Sequence, residues 1–131
     1  VEALERLGAG DLPLQPQDDA QATVSRLLTK TDGRLDWRAA ARLVSCRARG
    51  VDPWPGAHAL RDGQPVKLFG PTETSHDGSP GELLALDDAG LVVACGEGAV
   101  AFAEVQLPGR KRLPAKAVLA GRNLAIGDIL E

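Results

Sequence analysis

Apolar residues recur at helical spacing once over a long stretch of this chain. Trp37, Ala40, Ala41, Val44 and Ala48 fall on one side and Arg38, Arg42 and Arg49 line the other, which predicts an amphipathic helix capped by Asp36 and closed at Gly50. Strand-like runs follow at Ala57 to Arg61, Pro65 to Gly70, Glu82 to Leu86, Leu91 to Cys95 and Ala99 to Gln106. Asp62-Gly63, Asp87-Asp88-Ala89-Gly90 and Gly96-Glu97-Gly98 divide them. Turns this short make antiparallel hairpins. Five short strands bury their inward residues and protect their edges best by closing on themselves, so the expected fold is mainly β with short helices, built on a small barrel. Pro71 to Pro80 reads as a polar loop, and Leu113-Pro114-Ala115 opens a short last helix ending at Gly121.

The joints between these elements carry their own signals. Val1 to Leu7 has helical composition, no capping residue before it, and Gly8 and Gly10 after it; it reads as the end of a longer helix. Asp11 to Gln17 holds two prolines and no helical period, as a linker does. Thr29 to Gly33 is polar and turn-like. In Val51 to Ala57 two prolines bracket Trp54, excluding both helix and central strand. Trp54, Pro55 and Gly56 are therefore expected in a structured loop, with the indole anchoring it to the barrel and base stacking as the competing role.

Composition narrows the class without naming a chemistry. With 131 residues, 44% hydrophobic and 25% charged, the chain suits one globular core. No run approaches the roughly 18 apolar residues of a membrane span, and no charged-then-apolar leader is seen, which gives a cytoplasmic expectation. Cys46 and Cys95 lack metal-site or disulfide spacing and are read as inert packing residues. The net charge of -3 argues weakly against nucleic acid, but the distribution matters more. Glu73 to Glu104 holds seven carboxylates and no Lys or Arg, whereas Val105 to Gly127 holds Arg110, Lys111, Arg112, Lys116 and Arg122 and no acid. Between Arg26 and Lys67 nine bases meet four acids, so a basic face forms if the two basic segments adjoin.

Leu28-Thr29-Lys30-Thr31-Asp32-Gly33-Arg34-Leu35-Asp36-Trp37 resembles the opening of the C-terminal domain of methionyl-tRNA formyltransferases. Arg47 to Ala57 is similar to that family's arginine-bearing helix end and Pro-Trp-Pro-Gly-Ala loop. Pro80 to Leu84 and Leu91 to Gly98 resemble two of its strands, and Val105 to Ala115 its last strand, basic turn and helix start. The four segments occur in the family's order over nearly the whole chain.

The resemblance implies an OB-like Greek-key barrel preceded by a helix and an extended N-terminal linker. Residues 1–10 would be the tail of a catalytic α/β domain, 11–27 a linker, and 28–131 the OB-like domain. The whole-length enzyme would move a formyl group from 10-formyltetrahydrofolate to the amino group of methionyl-initiator-tRNA in translation initiation. Its partners would be that tRNA and the N-terminal α/β domain in cis. The family's chemistry uses an asparagine and a histidine two apart with a more distant aspartate. Asn123 is the sole asparagine here, and neither His58 nor His76 follows it in that way. Both histidines are read as surface loop residues, and no catalytic residue, metal ligand or bound cofactor is assigned to this segment.

In the family the barrel domain contacts tRNA largely through bases at the backbone, which position the substrate without reading sequence. That points to Arg110, Lys111 and Arg112 in the turn, Lys116 and Arg122 beside the last helix, Arg47 and Arg49 at the helix end, and Lys30. Ordinary surface decoration competes for the turn, and satisfaction of terminal carbonyls competes for Arg47 and Arg49. Amino-sugar formyltransferases, formyltetrahydrofolate hydrolases or dehydrogenases, peptide-assembly-line formylation domains and a stand-alone binding module remain alternatives. The sequence also leaves open whether Leu130-Glu131 is native or a cloning scar.

Overall fold

Strand pairing organises this molecule, and the helices are fitted to it. The computed structural model describes residues 2–13, 15–121 and 123–131. Six strands, β1 (His58–Arg61), β2 (Gln64–Thr74), β3 (Leu83–Asp87), β4 (Gly90–Ala94), β5 (Ala99–Gln106) and β6 (Leu113–Pro114), form one sheet. Neighbours run antiparallel in the order β1-β2-β5-β4-β3, with β6 paired to β5. The sheet curls into a half-barrel preceded by short helices.

Alternation along β2 sets its faces. Val66 and Leu68 enter the core, with Val105 of β5 opposite Leu68, while Lys67 and Phe69 lie on the other face opposite Gln106 and Glu104. Gly70 then takes φ +62, and a Cβ there would stand 3.1 Å from that of Ala103. Past this point the core-facing residues of β5 are Phe102 and Val100, so the inward parity changes by one across the bend. The glycine that marks a strand end in the sequence bends the strand instead. Residues 71–74, expected in a loop, continue β2 and pair with Phe102 through Ala99.

The helix also starts later than its pattern suggests. α2 spans Ala41–Gly50; before it, Asp36 makes a turn in which its carboxylate accepts from the Arg38 N–H at 3.1 Å. Ala40 is extended because the chain pairs here with the β4–β5 turn: Ala41 N–H donates to Glu97 O at 2.9 Å and Gly96 N–H to Ala39 O at 3.0 Å. Trp37 is thereby placed off the helix and in the core, edge-on to Phe102 with ring centroids 6.1 Å apart. Each fully buried Leu, Val or Phe here contributes on the order of 1.5–3 kcal/mol. β4 is buried along its whole length because Val92, with Ala99 and Ala101, packs under Leu84 and Ala85 on the face away from the main core.

The last residues tie the two ends of the sheet path together. Leu83 N–H donates to Asp128 O and Gly127 N–H to Leu83 O on the β3 side, while Leu60 and Glu131 exchange both backbone hydrogen bonds on the β1 side, at 2.8 and 2.7 Å. Leu130 between them is 1% exposed, so it is part of the core. At the other end α1 (Glu2–Gly8) buries no residue, and the described residues from there to Lys30 are exposed apart from a half-buried Leu12. Two further expectations are corrected. His58 lies in β1, half-buried, because the Asp62-Gly63 hairpin pairs it with Lys67. Cys95 is buried but Cys46 is exposed, since it falls on the solvent side of α2.

Candidate nucleic-acid interface

A row of backbone partners draws the separated basic segments together. Lys30 opens a 3-10 turn, Lys30–Gly33, closed by Asp32, whose carboxylate accepts from the Thr29 N–H at 2.6 Å, the Thr29 hydroxyl at 2.8 Å and the Arg26 guanidinium at 2.8 Å. Gly33 backs directly on the loop: a Cβ there would stand 2.2 Å from Gly56 O. Arg34 bridges to His58, and Leu35 N–H donates to His58 O at 2.9 Å. His58 pairs with Lys67, Lys67 pairs with Gln106, and the Gln106 side-chain amide donates to Arg110 O at 2.9 Å. The row crosses three strands, about 10 Å at the usual strand spacing. It joins the Lys30 turn, the Trp54 loop and the Gln106 to Arg112 turn.

The bases along this row are not equivalent. Arg110 and Lys111 are exposed and form no ion pair among the described residues. Arg112 is committed to the sheet: its guanidinium pairs with Glu104 and lies 4.0 Å from the centroid of Phe69, covering a ring that would otherwise face water. Lys116 is exposed on α3 (Ala115–Ala120), and Arg122 lies outside the described residues. Arg47 is exposed near the end of α2. Arg49 reaches back along the helix, donating to Ser45 Oγ at 2.9 Å and Cys46 Sγ at 3.3 Å, so it holds side chains rather than the terminal carbonyls. Lys30 is exposed. Lys67 was missed by sequence reasoning.

The loop departs from expectation in which residue holds it down. Pro55 and Gly56 are buried, and Gly56 N–H donates to Val51 O at 2.8 Å, but Trp54 is 58% exposed. Gly56 has φ +85, and Lys67 lies along it with Nζ 3.6 Å and Cδ 3.8 Å from where a Cβ would stand. The loop is thus anchored through its proline and glycine, and the indole is displayed.

Electrostatics separate this end of the sheet from the other. Glu73 pairs opposite Val100 and Glu97 sits in the β4–β5 turn, at the far end of β5 from Gln106. Hydrogen bonds from Arg26 and then from Thr29 hold the Asp32 carboxyl well below the usual range, and Asp32 in turn raises Arg26. Burial pushes the Cys95 thiol up to about 11, which leaves it unreactive. Among the described residues no cluster of His, Cys, Asp and Glu could hold a metal ion, and no helix is long and apolar enough to cross a membrane.

Comparisons with known proteins follow the same outline. A family model described as formyl transferase, C-terminal domain, matches residues 27–123. The chain is 42% identical to a methionyl-tRNA formyltransferase of Citrifermentans bemidjiense over 99% of this chain and 41% of that protein. It is 40% identical to one of Geobacter sulfurreducens over 98% and 41%, and 43% identical to one of Streptococcus equi over 93% and 40%. It therefore spans about two fifths of the length of these curated relatives. A crystal structure of HypX from Aquifex aeolicus in complex with tetrahydrofolic acid aligns with a TM-score of 0.66 at 27% identity, over 97% of this chain and 23% of that one.

Proposed function

The chain belongs to the formyl transferase C-terminal domain family, and from that premise we propose that it is the tRNA-contacting domain of a methionyl-tRNA formyltransferase. The whole-length enzyme would take the formyl group from 10-formyltetrahydrofolate and place it on the amino group of methionyl-initiator-tRNA in the cytoplasm, as translation begins. The observation that carries this reading is the row from the Lys30 turn through Lys67 to the Gln106–Arg112 turn, which gathers bases from two distant segments on one end of the sheet. Identity of 40% or more to methionyl-tRNA formyltransferases along nearly the whole chain supports the choice of acceptor.

Within this reading residues 1–10 are the tail of an N-terminal catalytic α/β domain, 11–27 a linker, and 28–131 an OB-like Greek-key barrel. The backbone clasp between β1 and β3 supports the barrel description. Lys30, Arg47, Arg110, Lys111 and Lys116 present exposed cations suited to phosphates, with Arg122 as a further candidate on sequence grounds. Such contacts orient a duplex or loop without reading bases. Catalysis and folate binding would belong to the other domain. A second reading, a related formyltransferase with a different acceptor, draws on the likeness to HypX, a protein of another name whose structure is in complex with tetrahydrofolic acid.

Formylation of initiator methionyl-tRNA by the whole-length protein, measured with 10-formyltetrahydrofolate, tests the acceptor. The expected result is formyl-methionine with the whole protein and none with residues 1–131 alone. Turnover by the isolated segment, or a whole protein inert on methionyl-tRNA but active on another amine, would overturn the reading.

A further inference from the structure

Of the features outside the basic turn, the displayed indole beside a half-buried lysine is the one that specifies a ligand. Trp54 is 58% exposed although Pro55 and Gly56, on which it rides, are buried. Its loop is pinned by the Gly56 to Val51 hydrogen bond. Gly56 is two residues on from Trp54, and Lys67 runs along it with its ammonium 3.6 Å from the position a Cβ would take. Over two residues the backbone extends at most about 7 Å, so the ammonium and the residue that carries the indole share one short, pinned loop as their support. Among the described residues Lys67 has no carboxylate partner.

We propose that Trp54 and Lys67 form a subsite for a single unpaired nucleotide of RNA, the base stacking on the indole and an adjacent phosphate resting on the Lys67 ammonium. The proposal rests on the RNA-contacting reading above and makes it more specific. A base can stack on an exposed indole only when its face is free, which is true of single strands and ends and not of a duplex interior. Apolar coverage by protein would leave the ammonium unpaired, whereas a nucleotide satisfies both groups at once. The pinned loop lowers the ordering cost of binding. The row through Gln106 to Arg110 continues the cationic track for the neighbouring phosphates.

The chain offers its own reporter, because it has two tryptophans and no tyrosine, and Trp37 is buried. Titrating the 131-residue chain with hexa-adenylate should quench Trp54 emission, and a hairpin duplex of equal phosphate number should not. By anisotropy of labelled hexa-adenylate, Trp54→Ala should weaken binding at least about fivefold, the low end for base–aromatic stacking, and Trp54→Phe should retain most of it. Lys67→Ala should weaken binding and lower the log–log salt slope by about 0.7.

Equal quenching by the duplex, or unchanged affinity and slope in Lys67→Ala with a native melting curve, would overturn the subsite. So would a whole-length protein in which acrylamide no longer reaches Trp54 without RNA, since the indole would then cover the other domain. The two readings separate cleanly. If tRNA binding depends on Arg110 and Lys111 while hexa-adenylate leaves Trp54 unquenched, only the subsite fails. If hexa-adenylate binds but whole-length protein formylates a different amine, only the acceptor fails.

Discussion

Arg110, Lys111 and Arg112 share a turn but not a task. Arg112 spends its guanidinium on Glu104 and the Phe69 ring, which leaves the other two facing solvent. Replacing Arg110 and Lys111 together by Ala should weaken initiator and elongator tRNA about equally and lower the salt slope by about 2, because phosphate contacts carry no sequence. Titrations at two salt concentrations check this, and an unchanged slope would assign both residues to surface decoration. Arg112→Ala should instead lower thermal stability by uncovering Phe69. Asp32 gives a pH signature of its own. Its folded pKa is depressed by Arg26 and Thr29, so its contribution is present above the unfolded value near 3.9 and is lost as pH falls through the lower folded value. Melting temperature should therefore fall steeply in acid below about pH 4, and Asp32→Asn should flatten that limb while lowering stability at pH 7. Parallel acid limbs in the two proteins would exclude Asp32 as their source.

At the scale of elements, the C-terminal segment is the tie on which the sheet's two ends depend. Leu130 is buried between β1 and β3, and Leu130→Ala should cost about 2–5 kcal/mol in urea unfolding, as large-to-small core changes do. A loss under 1 kcal/mol would show that the clasp is peripheral. This element had no signature in the sequence, since five residues around Gly127 and Asp128 have neither helical nor strand period. Local chemistry was legible: Asp62-Gly63 announces a two-residue hairpin, both residues take positive φ, and that turn alone fixes His58 opposite Lys67. The further step from Lys67 to Gln106 was not, because β2 and β5 are brought together by burial of Leu68, Val105 and Phe102 and not by a turn. Hence Lys30, the Trp54 loop and the basic turn could be named from sequence, while their adjacency and the residue between them could not. The helix start failed for the same reason: a long-range pairing to Glu97 overrides Asp36 as a cap.

At the scale of the whole molecule, burial begins at the Arg26–Asp32 pair: no described residue before it is buried. α1 and the described residues between it and Arg26 bury almost nothing, so in dilute monomer their amides should exchange within the dead time of a hydrogen-exchange experiment, with protection starting near Thr29. Protection of residues 2–13 equal to that of β4 would contradict a linker. The clasp at the other terminus has a consequence for association. It pairs Leu60 with Glu131 across 71 positions of sequence, a non-local contact whose closure entropy its hydrogen bonds must offset. Whenever it opens, Leu60 and Leu83 present unpaired strand edges to solvent, the template on which one sheet recruits another. Residues 127–131 are thus expected to limit edge-to-edge association of the sheet. A chain lacking 127–131 should sediment as soluble oligomers at concentrations where the intact one runs as a monomer.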